Sequence, residues 1–201
     1  MRQIVLRILG FVRDIVKDSY RICMQIQTRL FYIKREIPSA VSLSAVLDVI
    51  PQSSEHTQNH LFIGKKAFIE RKSVVNTWHG NVILEEAAFI GIGSIVIGPV
   101  AFKKNSGCAQ HCFISGISHK YMDMAINFRK QGFDIKEVVI EEDAWIGANC
   151  VILSGVRIGK HSVLGAGSVA TKNIPDYSVA VGNPARVIKQ FDIEKSEWIK
   201  T

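Results

Sequence analysis

The sequence predicts a mainly β chain wound into a three-sided parallel column, with one amphipathic helix before it and one loop protruding from it. Three observations predict this. An apolar residue stands at Ile63, Ile69 and Val75 and, after three extra residues, at Leu84, Ile90, Val96, Phe102, Cys108 and Ile114. The same six-residue beat resumes at Ile140, Ile146, Ile152, Ile158 and Leu164. In a chain that is 47% hydrophobic, so many positions in step arise by chance on the order of 10⁻⁵ by template counting. A small residue then follows each beat four positions later, His79 being the exception. Finally, neither the helical period of 3.6 nor the strand period of 2 matches the repeat.

A period of six suits a short flat strand plus a corner. Three such faces close a coil of eighteen residues, with the aliphatic residue pointing inward and the small residue filling the corner. Stacked coils then pair backbone to backbone at about 4.8 Å. Hexapeptide β-helices are the repeat class with this signature.

The elements follow in order. Residues 1–37 read as one helix, with Ile4, Ile8, Phe11, Ile15, Ile22, Ile26, Leu30 and Ile33 on one stripe and Pro38 as the stop. Residues 38–60, Ser-rich with Pro51, read as an irregular entry segment. The column occupies 61–190 and carries a loop at 120–139, and 191–201 form a tail with a short helix.

The net charge is +7, and residues 1–37 hold eight Lys/Arg against Asp14, Asp18 and Glu36. Two uses of that segment stay open. Its stripe packs on the column or in a subunit interface, or it docks peripherally on an anionic membrane surface. No recognition motif accompanies the charge, so no nucleic-acid partner is expected. Arg2, Arg7 and Arg13 divide the opening apolar stretch, which argues against a signal peptide and a spanning segment. Cys23, Cys108, Cys112 and Cys150 show no CxxC spacing, which suits a reduced, cytoplasmic chain using cysteine as a small apolar residue.

Two interruptions break the beat, at 81–83 and at 120–139, and both leave the column after a third face. Insertions on one edge of a solenoid build its binding face, and a connection as long as 120–137 marks function. His79 and His119 therefore share one edge, two coils apart, about 10 Å by strand spacing. His111 and His161 fall inside regular hexads and read as structural.

The runs "IGIGSIVIGP" and "WIGANCVILSGVRIGKHSVLGAGSVATKNIPDYSVAVGNPARVI", together with the "SHKY" loop entrance, resemble the hexapeptide-repeat acyltransferases, specifically the sugar O-acetyltransferase branch. The resemblance covers roughly 61–190. It implies a left-handed column, a homotrimer with each site between two columns, acetyl-CoA as acyl donor, no metal, and acetylation of a saccharide hydroxyl in surface-polysaccharide assembly.

It also implies roles for individual residues. His119 is the general base, since imidazole with an ordinary pKa near 6.5 suits removal of a hydroxyl proton at neutral pH. Asp123 is a candidate to orient it, and Asn76, His79 and Tyr121 are candidates for acceptor binding. Arg129, Lys130 and Gln131 are candidates to meet the acceptor or the neighbouring subunit. Gly147, Ala148, Gly165 and Ala166 let the donor approach backbone, with the Ala148 N–H facing the thioester carbonyl, and Trp145 walls the acyl site. Thr171, Lys172, Pro184 and Arg186 meet the coenzyme's phosphate and adenine end.

Departures from the family pattern are Ala170, where a β-branched residue is usual, and Lys103–Lys104, where Gly–Asp/Glu is usual. Other readings kept open are serine or amino-sugar N-acetylation, a three-histidine metal hydratase on the same column, and a trimeric scaffold without activity.

Overall fold

The computed structural model describes residues 33–49 and 59–201. The helix expected over 1–32 lies outside them. Residues 33–37, expected to close that helix, instead open the column: Ile33–Arg35 is a strand paired in parallel with Leu61–Ile63. The entry segment likewise supplies strands Ala40–Val41 and Val46–Asp48, so a complete coil precedes the first beat at Ile63.

Three parallel sheets form the sides. The first face runs through Ile33–Arg35, Leu61–Ile63, Val82–Leu84, Val100–Phe102, Val138–Ile140 and Arg157–Ile158. The second runs through Ala40–Val41, Phe68–Ile69, Phe89–Ile90, Gly107–Cys108, Trp145–Ile146 and Val163–Leu164. The third runs through Val46–Asp48, Val74–Asn76, Ile95–Ile97, Phe113–Ser115, Val151–Ile152 and Val169–Ala170. This is the left-handed parallel β-helix that the six-residue beat predicts.

Every beat residue from Ile63 to Leu164 is at most 2% exposed. The inward aliphatic column therefore supplies the core, each side chain contributing about 1.5–3 kcal/mol of burial. Corners turn through one residue of positive φ, as at Lys66, Ala87, Asn105, Asp143 and Asn149, set immediately before the small residue. His111 and His161 occupy this same left-handed position (φ 57° and 51°), which explains their place inside regular hexads. Ala170 is fully buried at the end of the last complete coil.

The chain ends differently from the expected helical tail. Ser178–Gly182 continues the second face, then Ala185–Asp192 and Glu197–Lys200 add antiparallel strands to it. Phe191 packs edge-on against Trp198, so the terminal strands close the lower end of that sheet.

The edge between the first and second faces carries charges that alternate in sign from coil to coil. Lys103 bonds Glu85 at 2.9 Å, and Lys104 lies 3.6 Å from Glu86. Lys160 meets Glu142 at 2.8 Å, while Arg157 bridges Glu141 and Asp176 at 2.8 and 2.9 Å. The departure at Lys103–Lys104 is thus the cationic rung between two acidic ones. Lys103 is held above the ordinary lysine range by its hydrogen bond to Glu85, against a smaller opposing effect of burial. Each exposed pair contributes little alone, but the alternation disfavours a slip by one coil, which would stack like charges. Lys103→Glu, leaving three acids in succession, is expected to cost about 1–2 kcal/mol and to lower the Tm by about 2–8 °C. The loss shrinks in 1 M salt. A salt-independent loss of Tm would contradict the ladder.

Candidate active site

The interruption that begins near His119 is a hairpin rather than a loose loop. Ile117–His119 pairs antiparallel with Phe133–Ile135, bringing His119 opposite Phe133. Val138–Ile140 already belongs to the next coil, so the excursion ends earlier than 139. Gln131 closes its tip: its side-chain amide donates to the carbonyls of Asp123 and Ile126 and accepts from the Asp123 N–H. Lys120, Tyr121, Met122, Asp123, Lys130 and Asp134 line a hollow of about 500 Å³ beside it.

The His119 ring is held by aromatic packing. Its centroid lies 4.5 Å from Phe133 and 5.4 Å from Phe128. Asp123, expected to orient this ring, instead spends Oδ1 on the Ala125 N–H at 2.9 Å, a turn-capping use typical of aspartate. Phe133 takes the orienting place within the chain, and sequence reasoning missed it. The recurrent "QGF" was the available signal, read there only as evidence of a defined loop.

His79 also packs on Phe133, at 4.6 Å, so the hairpin reaches back along its edge to the turn before the third coil. Burial, and then the nearby His119, lower the pKa of His79 below the ordinary histidine value of 6.5. A lowered folded-state pKa means that the unfolded chain binds the proton more readily. Stability is therefore full above about pH 6.5 and falls as the medium is acidified through and below that value. His79→Gln is expected to flatten the fall in Tm between pH 7.5 and 5.5, and an unchanged slope would contradict it.

Asn76 is committed within the chain. It accepts the Trp78 N–H at 2.9 Å and lies 3.5 Å from Asp48, which also accepts the Trp78 indole N–H at 3.0 Å. Tyr121 stays 67% exposed. Among the described residues no three His, Cys, Asp or Glu gather into a metal site.

The donor residues lie on another edge, between the second and third faces. Trp145 projects outward and is 53% exposed, while Gly147, Ala148, Gly165 and Ala166 form successive corners below it. A Cβ on Gly147 would sit 2.6 Å from the Ala166 nitrogen, and one on Gly165 would sit 2.7 Å from Val181. Glycine is what lets these coils stack so closely. At Ala148 and Ala166 the backbone N–H has no acceptor among the described residues. The corners therefore present outward donors that an extended acyl chain could meet.

Pro184 and Arg186 follow at the lower end of this edge, where Ser168 Oγ accepts the Gly182 N–H at 3.0 Å. Thr171 and Lys172 come elsewhere: they follow Val169–Ala170 and so stand on the His119 edge, two coils below it. All the expected site residues thus fall on or beside the two edges that border the third face. The ion-paired edge carries none.

Residues 137–172 match the family model for the bacterial transferase hexapeptide (six repeats). The column is made of bacterial transferase hexapeptide repeats. A galactoside O-acetyltransferase of Lactococcus lactis is 51% identical over 67 residues, covering 33% of this chain and 32% of that protein. A probable acetyltransferase of Mycobacterium tuberculosis is 33% identical over 132 residues, covering 66% of this chain and 38% of its own length. The chain thus spans about a third of the length of these relatives. In shape, the hexapeptide column matches the crystal structure of AntD, an N-acyltransferase from Bacillus cereus, in complex with dTDP-4-amino-4,6-dideoxyglucose and coenzyme A. That match has a TM-score of 0.68 at 16% identity and covers 86% of this chain and 91% of the other.

Proposed function

We propose that this chain is an acetyl-CoA-dependent O-acetyltransferase that modifies a saccharide hydroxyl, with His119 as general base. The division of labour among the three edges carries the proposal: one holds the imidazole, one holds free amide donors beside glycine corners, and the third is spent on ion pairs. The sugar O-acetyltransferase among its relatives supports the choice of acceptor, and a surface polysaccharide, with the basic segment 1–37 lying against the membrane, fits the same reading.

One protomer holds the two working edges apart by a face about 15 Å wide, five residues at strand rise. A threefold assembly with the third face inward would bring the His119 edge of one copy against the Ala148 edge of the next. The outward row of that face is apolar throughout: Val46, Val74, Ile95, Phe113, Val151 and Val169. Ile95 and Phe113 are each 38% exposed in the single chain, which suits burial at the axis. Turning either other face inward would leave His119 or Ala148 without its counterpart.

Acetyl-CoA supplies a thioester carbonyl that leaves as the acetyl ester of the acceptor. The His119 imidazole takes the hydroxyl proton as the acceptor oxygen attacks, and returns it to the departing thiolate. The Ala148 N–H donates to the oxygen on which negative charge develops. Lys172 on one wall of the groove and Arg186 on the other supply cations for the phosphates of the donor.

Two measurements test this. Saturating coenzyme A is expected to raise the Tm, and labelled acetyl-CoA is expected to acetylate members of a panel of free and membrane-linked saccharides. No Tm shift and no transfer would leave a scaffold. Transfer confined to amines would replace the hydroxyl acceptor.

A further inference from the structure

The proposed oxyanion donor belongs to the Gly147–Ala148 peptide, which is trans, so its C=O and N–H point in opposite directions. Whatever fixes the Gly147 carbonyl therefore aims the Ala148 N–H. At most corners that carbonyl accepts from the residue three ahead in its own turn, as Gly64 does from Ala67 and Gly159 from Ser162. At Gly147 this bond is not made. Among the described residues its carbonyl has one donor, the buried Cys112 thiol of the preceding coil, at 3.1 Å. The next corner repeats the arrangement, with the Cys150 thiol 3.2 Å from the Gly165 carbonyl and the Ala166 N–H turned outward. Other carbonyls lie at 3.8–3.9 Å from these sulfurs, too long to compete.

The two cysteines continue a ladder begun by serines. Ser73 Oγ donates to the Gly91 carbonyl at 2.9 Å, and Ser94 Oγ donates to that of Ala109 at 3.0 Å. At Gly91 the outward amide is already occupied, since the Ile92 N–H donates to Glu70 at 2.9 Å. The sequence pattern treats cysteine and serine at these positions as small fillers, but here each is a donor to the corner one coil below.

We infer that Cys112 is a positioning residue, whose thiol pins the Gly147 carbonyl inward and so aims the Ala148 N–H at the reacting carbonyl. The inference rests on the acyl-transfer reading above. A thiol can donate only while protonated, and the hydrogen bond with Cys108, aided by burial, pushes Cys112 up to about 12. It thus keeps its proton throughout the physiological range.

Three variants test it. Cys112→Ala removes the donor and is expected to lower kcat for acetyl transfer about tenfold, with little change in Kd for coenzyme A. Cys112→Ser, whose hydroxyl fits the same ladder at Ser94, is expected to restore most of that loss. Ser73→Ala deletes an equivalent donor above an amide that is already bonded, and is expected to leave turnover unchanged. Independently of turnover, the ¹H–¹⁵N resonance of Ala148 is expected to shift in Cys112→Ala and to return in Cys112→Ser. Equal kcat in the alanine and serine variants, or an unmoved Ala148 resonance, would overturn the inference. A wild-type chain that transfers no acetyl group to any acceptor would instead overturn the acyl-transfer reading, and the Ala148 resonance would still decide the role of Cys112.

Discussion

His119→Ala lowers the rate of acetyl transfer by about 10²–10⁴, the span over which a positioned acid–base group contributes, while the Tm and coenzyme A binding stay near wild type. The reasons are local. His119 is exposed on a hairpin outside the aliphatic column, so deleting its ring removes packing on Phe133 and Phe128 but nothing from the core. The donor corners at Ala148 and Ala166 stand on a different edge and keep their geometry. Steady-state kinetics against a saccharide acceptor, read beside a thermal melt, check this. Turnover within threefold of wild type would remove His119 from the chemistry. A collapse of the Tm would mean that the hairpin does structural work beyond its own edge.

Gly147→Val produces the largest expected loss of stability among single substitutions at the site. The new Cβ would fall 2.6 Å from the Ala166 nitrogen and 2.9 Å from its Cα. Both are backbone atoms that the coil spacing holds in place, so no flexible side chain can yield. Overpacking of this kind costs about 3 kcal/mol or more when backbone must move, which lowers the Tm by about 6–12 °C in a chain of this size. The same displacement carries the Ala148 and Ala166 amides out of line, so coenzyme A no longer raises the Tm of what remains folded. A variant that melts like wild type would show that the two corners do not approach so closely.

Much of the column was legible because the inward position is periodic and intolerant. Ile140, Ile146, Ile152, Ile158 and Leu164 can each face only the core, so spacing alone assigns their faces. The corner at His119 was legible for the opposite reason, since an interruption in a strict repeat stands out. What escaped the sequence was whatever depends on neighbouring coils rather than on neighbouring residues. Lys103 and Lys104 break the family pattern in one dimension, and their meaning emerges only when Glu85 and Glu141 lie directly above and below. Phe133 lies fourteen residues from His119 along the chain but touches its ring. Asp123 stands close in sequence yet caps its own turn.

The ends misled for a related reason. Ile33 continues an apolar spacing that reads as helix, but pairing with Leu61 settles it as strand. "FDIEKSEWIK" has no strong strand alternation, and it extends because the second face offers it an open edge. Cys112 and Cys150 were read by size alone, and their hydrogen bonds to the corner below are invisible without coil register.

The most direct test of a site shared between copies mixes two inactive variants. His119→Ala loses the base and Ala148→Pro loses the amide donor, each on its own edge. If acetyl transfer occurs between the His119 edge of one protomer and the Ala148 edge of the next, equal co-expression restores about a quarter of the sites in a random threefold mixture. Hybrids purified through two different tags, yet as inactive as either parent, would contradict a shared groove and return both edges to a single chain.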